Sequence, residues 1–176
     1  LLLRLGRHEE ARLLFEAILK ARAIPWAKLG VARAQIEAGH PTRAVATLMG
    51  LIGEDPGYAD AYDVLGRAQV EMGHFAEAIE TYRTASELTP DSVVRLQKLG
   101  MMCYYMGERA TAVQVLSRAV VLGIDSKLFD YQSLVLLAFA YFDENDGKGI
   151  DRCIADFGRV LDRHADSQRI QRFAQV

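Results

Sequence analysis

Cysteine, histidine and unbroken apolar sequence are all scarce in this chain of 176 residues, and each scarcity removes a class of function. The two cysteines, Cys103 and Cys153, lie within helical patterns at no metal or redox spacing. They read as small buried hydrophobes and suit a reducing, cytoplasmic setting. The longest apolar run, Ser133 to Phe142, falls well short of the roughly 20 residues a membrane-spanning helix needs, so no direct membrane insertion is expected. Charge of one sign is lacking too. With 21 basic and 23 acidic residues scattered along the chain and a net charge of -2, bulk electrostatics attract neither nucleic acid nor an anionic membrane surface.

Catalytic groupings are absent by the same reading. Ser117, Ser133 and both cysteines fall inside helical patterns with no strand-turn-helix elbow around them, and no glycine-rich phosphate loop occurs. Asp143, Glu144 and Asp146 resemble a calcium loop in charge, but the loop is short and no Glu follows at the required spacing. A solvated acidic turn is the expectation. No enzyme activity, cofactor or metal is therefore predicted.

What the sequence does contain is a period. Residues 59–92 form a 34-residue unit that opens Tyr62-x-x-Leu65-Gly66, turns at Gly73, continues Ala78-x-x-x-Tyr82 and closes at Pro90. Shifted by its own length, it superposes Gly39, Gly73 and Gly107; Ala44, Ala78 and Ala112; and Val45, Ile79 and Val113. A fixed period over three units signals a repeat array, whose core is a seam between neighbours rather than a central ball. Equivalent residues then lie one repeat apart. His40 and His74, which both follow turn glycines, are too far apart to share an ion whose ligands sit about 2 Å from it.

The spacing resembles the tetratricopeptide repeat, W-x2-L-G-x2-Y…A-x3-F…P, with Tyr62 for Trp, Gln69 for the inner Tyr and Tyr82 for Phe. The resemblance implies an all-α fold: a right-handed superhelical solenoid of antiparallel helix pairs, with about ten helical segments. One array is expected over 1–176: a partial repeat at 1–24, repeats at 25–58, 59–92 and 93–126, a divergent repeat at 127–166, and a terminal helix at 167–176. Pro25 suits a helix start, and Pro90 with Ser92 reads as an exit followed by a cap. Gly66 and Ala78 are expected to meet at a close helix crossing, with Leu65, Ile79, Tyr82, Ala85 and Leu88 as the buried seam. The divergent repeat fits only with about four residues inserted before its first helix. The chain opens mid-pattern, without an initiator Met, and is expected to be cut from something longer.

In tetratricopeptide arrays the first helix of each pair lines an inner groove. The resemblance therefore places Leu29, Arg33 and Glu37, then Asp60, Asp63, Arg67 and Glu71, on a charged half of that groove. Val94, Gln97, Lys98, Met101 and Tyr105, then Val135, Phe139 and Phe142, form an apolar and aromatic half. Such residues suit an apolar or amphipathic segment of another protein, unless the terminal helix covers them with Ile170 and Phe173. The two-carboxylate clamp for chaperone C-termini is excluded, because its five places carry Leu29, Arg33, Val64, Val94 and Lys98. Only two are basic and neither Asn is present. The run Leu88 to Gly100, with Ala61-Tyr62-Asp63 before it, is also similar to the helical C-terminal part of bacterial response regulators that carry these repeats. The expected function is a non-enzymatic scaffold or adaptor binding a peptide or helix of a protein partner, in bacterial signalling. The alternative is a regulatory or self-associating segment of a larger enzyme or secretion machine, in which a homodimer would be expected.

Overall fold

A computed structural model describes residues 2–22, 24–126 and 131–163. Every regular element among the described residues is helical. The chain divides into two compact units, Leu1–Pro90 and Asp91–Val176. The boundary falls at the proline that closes the central repeat.

The first unit begins with a 3-10 turn, Leu2–Leu5, followed by α1 (His8–Ala21), α2 (Pro25–Glu37), α3 (Pro41–Glu54), α4 (Ala59–Glu71) and α5 (Phe75–Leu88). Each helix packs on the next, and α2 also touches α4, so the first helices of neighbouring repeats meet. Pro25 and Pro41 both stand in the first turn of their helices, where a missing N–H costs no hydrogen bond. Ser92 precedes α6, yet its side chain caps nothing; its carbonyl accepts from Arg95 and Leu96 instead. The core of this unit is a seam of Leu29, Ile36, Leu48, Leu51, Val64 and Leu65, drawn from α2, α3 and α4.

The second unit holds α6 (Val93–Tyr105), α7 (Arg109–Gly123), α8 (Gln132–Asp143) and α9 (Gly147–Arg163). Here α6 packs on α7, α7 on α8 and α8 on α9, and α6 also reaches α8. Leu116 and Leu134 are fully buried between them, as are the free thiols of Cys103 and Cys153. Residues 127–130, where the insertion is expected, and 164–176, which contain the expected terminal helix with Ile170 and Phe173, lie outside the described residues.

One turn is built five times. Gly6, Gly39, Gly73 and Gly107 have φ of 72°, 78°, 77° and 84°, and in each case the next N–H reaches back five residues: Arg7 to Leu2, His40 to Gln35, His74 to Gln69, Glu108 to Cys103. This left-handed cap satisfies carbonyls the helix leaves open, and only glycine adopts it without strain. The divergent repeat makes the same turn with Asn145 at φ 56°, and Asp146 donates its N–H to the Tyr141 carbonyl at 2.9 Å. Asn is the residue that best tolerates this conformation after Gly. The acidic sequence thus conceals a regular turn, and its carboxylates are used: Asp146 accepts from the Gly149 N–H at 3.0 Å, and Asp143 pairs with Arg109.

Two packing expectations are corrected. A Cβ at Gly66 would sit 2.6 Å from the Tyr82 ring rather than against Ala78, so the close approach is between a glycine and a large side chain. Gly100 against Leu116 and Gly30 against Phe15 repeat the arrangement. Leu88 is not in the seam. It is the last residue of α5 and remains 40% exposed.

Candidate partner-binding faces

Side chains on the first helices at positions not taken by the seam define one face in each unit. In the first unit these belong to α2 and α4. Arg33 is exposed, and Arg67 Nη2 pairs with Glu37 Oε1 at 2.7 Å, joining two of the predicted face residues across neighbouring repeats. Asp63 is half-buried near the Tyr82 ring, whose hydroxyl is pushed up to about 12, first by burial and then by that carboxylate. Leu29 is a correction: it is only 5% exposed and lies in the core. Gly30 packs under Phe15 of α1, and Leu29 joins the buried cluster with Leu48 and Val64 instead of facing a groove. Val64 is likewise core, so two of the five chaperone-clamp places are closed to any ligand.

In the second unit α6 and α8 run side by side. Gln97 Nε2 donates to Ser133 Oγ, tying the helices together near their N-terminal ends. Beside this bond opens a cleft of about 150 Å³, lined by Val94, Gln97, Lys98 and Met101 on α6 and by Gln132, Ser133 and Leu136 on α8, with Leu116 as an apolar floor. Four of these are face residues expected from the sequence. Gln132, Ser133 and Leu136 are not; Val135, the expected contributor, is half-buried beside them.

The C-terminal ends of the same helices are held by Arg109. Its Nε pairs with Asp143 Oδ2 at 2.8 Å, its Nη1 donates to the Tyr104 carbonyl, and its guanidinium lies 4.3 Å from the Tyr104 ring centroid. Burial, more than the nearby Asp143 carboxylate, raises the Tyr104 hydroxyl above its ordinary range. Tyr105 stands edge-on to Tyr104 at 5.7 Å and is itself 66% exposed. On α8, Phe139 is 54% and Phe142 69% exposed. The sequence picks out these three aromatics but misses Arg109, because α7 belongs to the second-helix class and nothing in a single repeat marks its first residue as a bridge.

The chemistry available is recognition. Among the described residues no three His, Cys, Asp or Glu side chains gather for a metal, and no helix is long and apolar enough to cross a membrane. A side-chain-sized cleft with amides at its rim, and exposed aromatics farther along the same helices, offer apolar anchoring.

Two family models, both described as tetratricopeptide repeat, match residues 35–100 and 1–59. No curated protein matches the chain. Among solved structures, one titled as the crystal structure of MamA aligns at 21% identity over 93% of this chain and 92% of that one, with a TM-score of 0.74. A thermophilic tetratricopeptide protein of Thermus thermophilus aligns at 24% identity over 98% and 91%, TM-score 0.68. MamA from Desulfovibrio magneticus aligns at 17% over 95% and 91%, TM-score 0.73. At these identities the likeness shows the fold. The repeat period, the five matching turns and the two family models together place this all-α chain in the tetratricopeptide repeat family, whose fold serves as a protein-interaction scaffold.

Proposed function

We propose that this chain is a non-enzymatic scaffold that binds a peptide or helix of a protein partner on the first-helix faces, chiefly on α6 and α8. The observation carrying this reading is the exposure of Tyr105, Phe139 and Phe142 on two adjacent first helices that also line a ready-formed cleft nearer their N-terminal ends. Large apolar side chains left in water are costly to a lone domain and supply most hot-spot energy to a complex. In this reading the face residues of the second unit, Gln97, Lys98, Met101, Tyr105, Val135, Phe139 and Phe142, give affinity, and Arg33, Asp63 and Arg67 of the first select orientation and partner.

The setting we assign is bacterial signalling in the cytoplasm, supported by the similarity of Leu88 to Gly100 to repeat-bearing response regulators and by two buried free thiols. A second reading, self-association within a larger machine, is favoured by exposed Leu13 and Leu14 on α1. Solution mass against concentration, combined with peptide selection on the chain, separates the two. A monomer that enriches peptides through the α6/α8 face supports the adaptor. A concentration-dependent dimer that enriches none supports the other.

A further inference from the structure

We infer that residues 168–176 seat on an open face of α9 as the first helix of a further pair, so that Ile170 and Phe173 cover α9 and leave the aromatic face of α6 and α8 free. The inference stands apart from the peptide reading, since it concerns what lies over α9.

Two second helices of the same unit carry the same row of side chains, one covered throughout and the other only at its start. In α7, Ala112, Leu116, Val120 and Ile124 recur every fourth residue, and none is more than 6% exposed. In α9 the row is Gly149, Cys153, Phe157 and Leu161. Its first two residues are buried, Phe157 is half-buried and Leu161 is 42% exposed, with Ile154 on the same side at 63%. What differs is the helix that follows. α7 packs on α6 before it and on α8 after it, whereas α9 packs on α8 and is the last helix among the described residues.

The chain itself supplies a segment of matching pattern. The first helices α6 and α8 place their buried leucines in Leu96-x-x-Leu99-Gly100 and Leu134-x-x-Leu137-Ala138, and Ile170-x-x-Phe173-Ala174 repeats that spacing. On a helix these three residues share one side, while Gln168, Gln171, Arg172 and Gln175 take the other. Length fits as well. Residues 164–167 make a connection of ordinary length between packed helices. A helix over 168–176 spans about 13 Å, against about 10 Å from Leu161 back to Ile154, so an antiparallel seat covers the open part of the row. Apolar surface leaves water on both sides of that contact, which drives it. Tethered just beyond Leu161, the segment meets this face at an effective concentration of about millimolar, an advantage over any second copy. Gln171 and Gln175 then stand where α8 has Val135 and Phe139, and the series of first helices continues with an amide surface.

Paired cysteines in the full chain test this, because both natural thiols are buried. Under mild oxidation Ile170→Cys should form a disulfide within one chain with Leu161→Cys and none with Tyr105→Cys. Amide hydrogen exchange of an Ile170→Ser/Phe173→Ser variant gives a second measure without touching α9. Amides from Ile154 to Leu161 should exchange about tenfold faster than in the natural chain. A bridge between positions 105 and 170 would place the segment over the aromatic face instead and overturn the inference. A bridge between two chains, or exchange that slows as protein concentration rises, would give the α9 face to a second copy and overturn it as well. Unchanged exchange in the serine variant overturns it whichever bridge forms, and leaves the peptide reading standing.

Discussion

At the scale of single residues, the tightest constraint is the glycine that faces a large side chain. Gly66 leaves no room: even a Cβ would lie 2.6 Å from Tyr82, which is buried and cannot swing away. Gly57 by contrast has only Asp55 Oδ1 at 3.5 Å nearby. Gly66→Leu should therefore lower stability by about 1–3 kcal/mol or more, and Gly57→Ala by under about 0.5. Thermal midpoints of the two variants check this, and equal losses would contradict the crossing. Tyr82 also sets a pH limit. Its hydroxyl stands near 12 against an ordinary 10, and the Cys153 thiol near 11 against 9, in both cases mainly through burial. Both are neutral acids made harder to ionise by folding, so their stabilisation is complete below the unfolded values. It is lost as pH rises from about 9 to about 12. Denaturant midpoints should fall across that window, and Tyr82→Phe should remove the upper part of the fall; an unchanged slope would rule Tyr82 out as a cause.

At the scale of elements, each helix is covered by its neighbours, and the consequence is graded rather than global failure. α9 packs on α8, buries Cys153 and Val160, and brings Gly149 under the Tyr141 ring. Ending the chain after Asp146 removes all of this while leaving the seam of Leu29, Leu48 and Val64 in the first unit untouched. The fragment should keep helical circular dichroism from the first unit and show a broader, earlier melting phase from α6 to α8. Total loss of helix would mean that α9 nucleates the fold. Helix starts and stops are readable because Pro and Gly act locally: Pro25, Gly39, Gly73 and Gly107 all stand where the period places them. The Ser92 cap is not, since a side-chain cap depends on a rotamer as well as a residue type.

At the scale of the whole molecule, the two faces differ in how they would contribute to binding. The charged one is already partly neutralised, since Arg67 and Glu37 form a half-exposed pair of a kind worth about 0–1 kcal/mol. The aromatic one presents three rings to water. Against a peptide selected on the natural chain, Tyr105→Ala/Phe139→Ala should cost about 2 kcal/mol or more with little salt dependence. Asp63→Ala/Arg67→Ala should cost under about 1, mainly at low salt. Calorimetric titration of both double variants decides, and a costlier charged pair would reverse the assignment of the two faces.

The sequence by itself determined the helix-pair class, the period and the turn positions, because periodicity and left-handed glycines are properties of short stretches of chain. Only the tertiary structure decided which apolar positions are covered. Leu29 and Phe139 both lie on first helices, yet one is core and the other exposed: α2 is covered by α1, α3 and α4 and Leu29 joins the seam with Leu48 and Val64, whereas no described neighbour covers Phe139, which is 54% exposed. Nor could the pattern show that Arg109, opening a second helix, would fasten the ends of two first helices. Period reports which side of a helix is apolar; the neighbour that covers that side is fixed only when the helices pack.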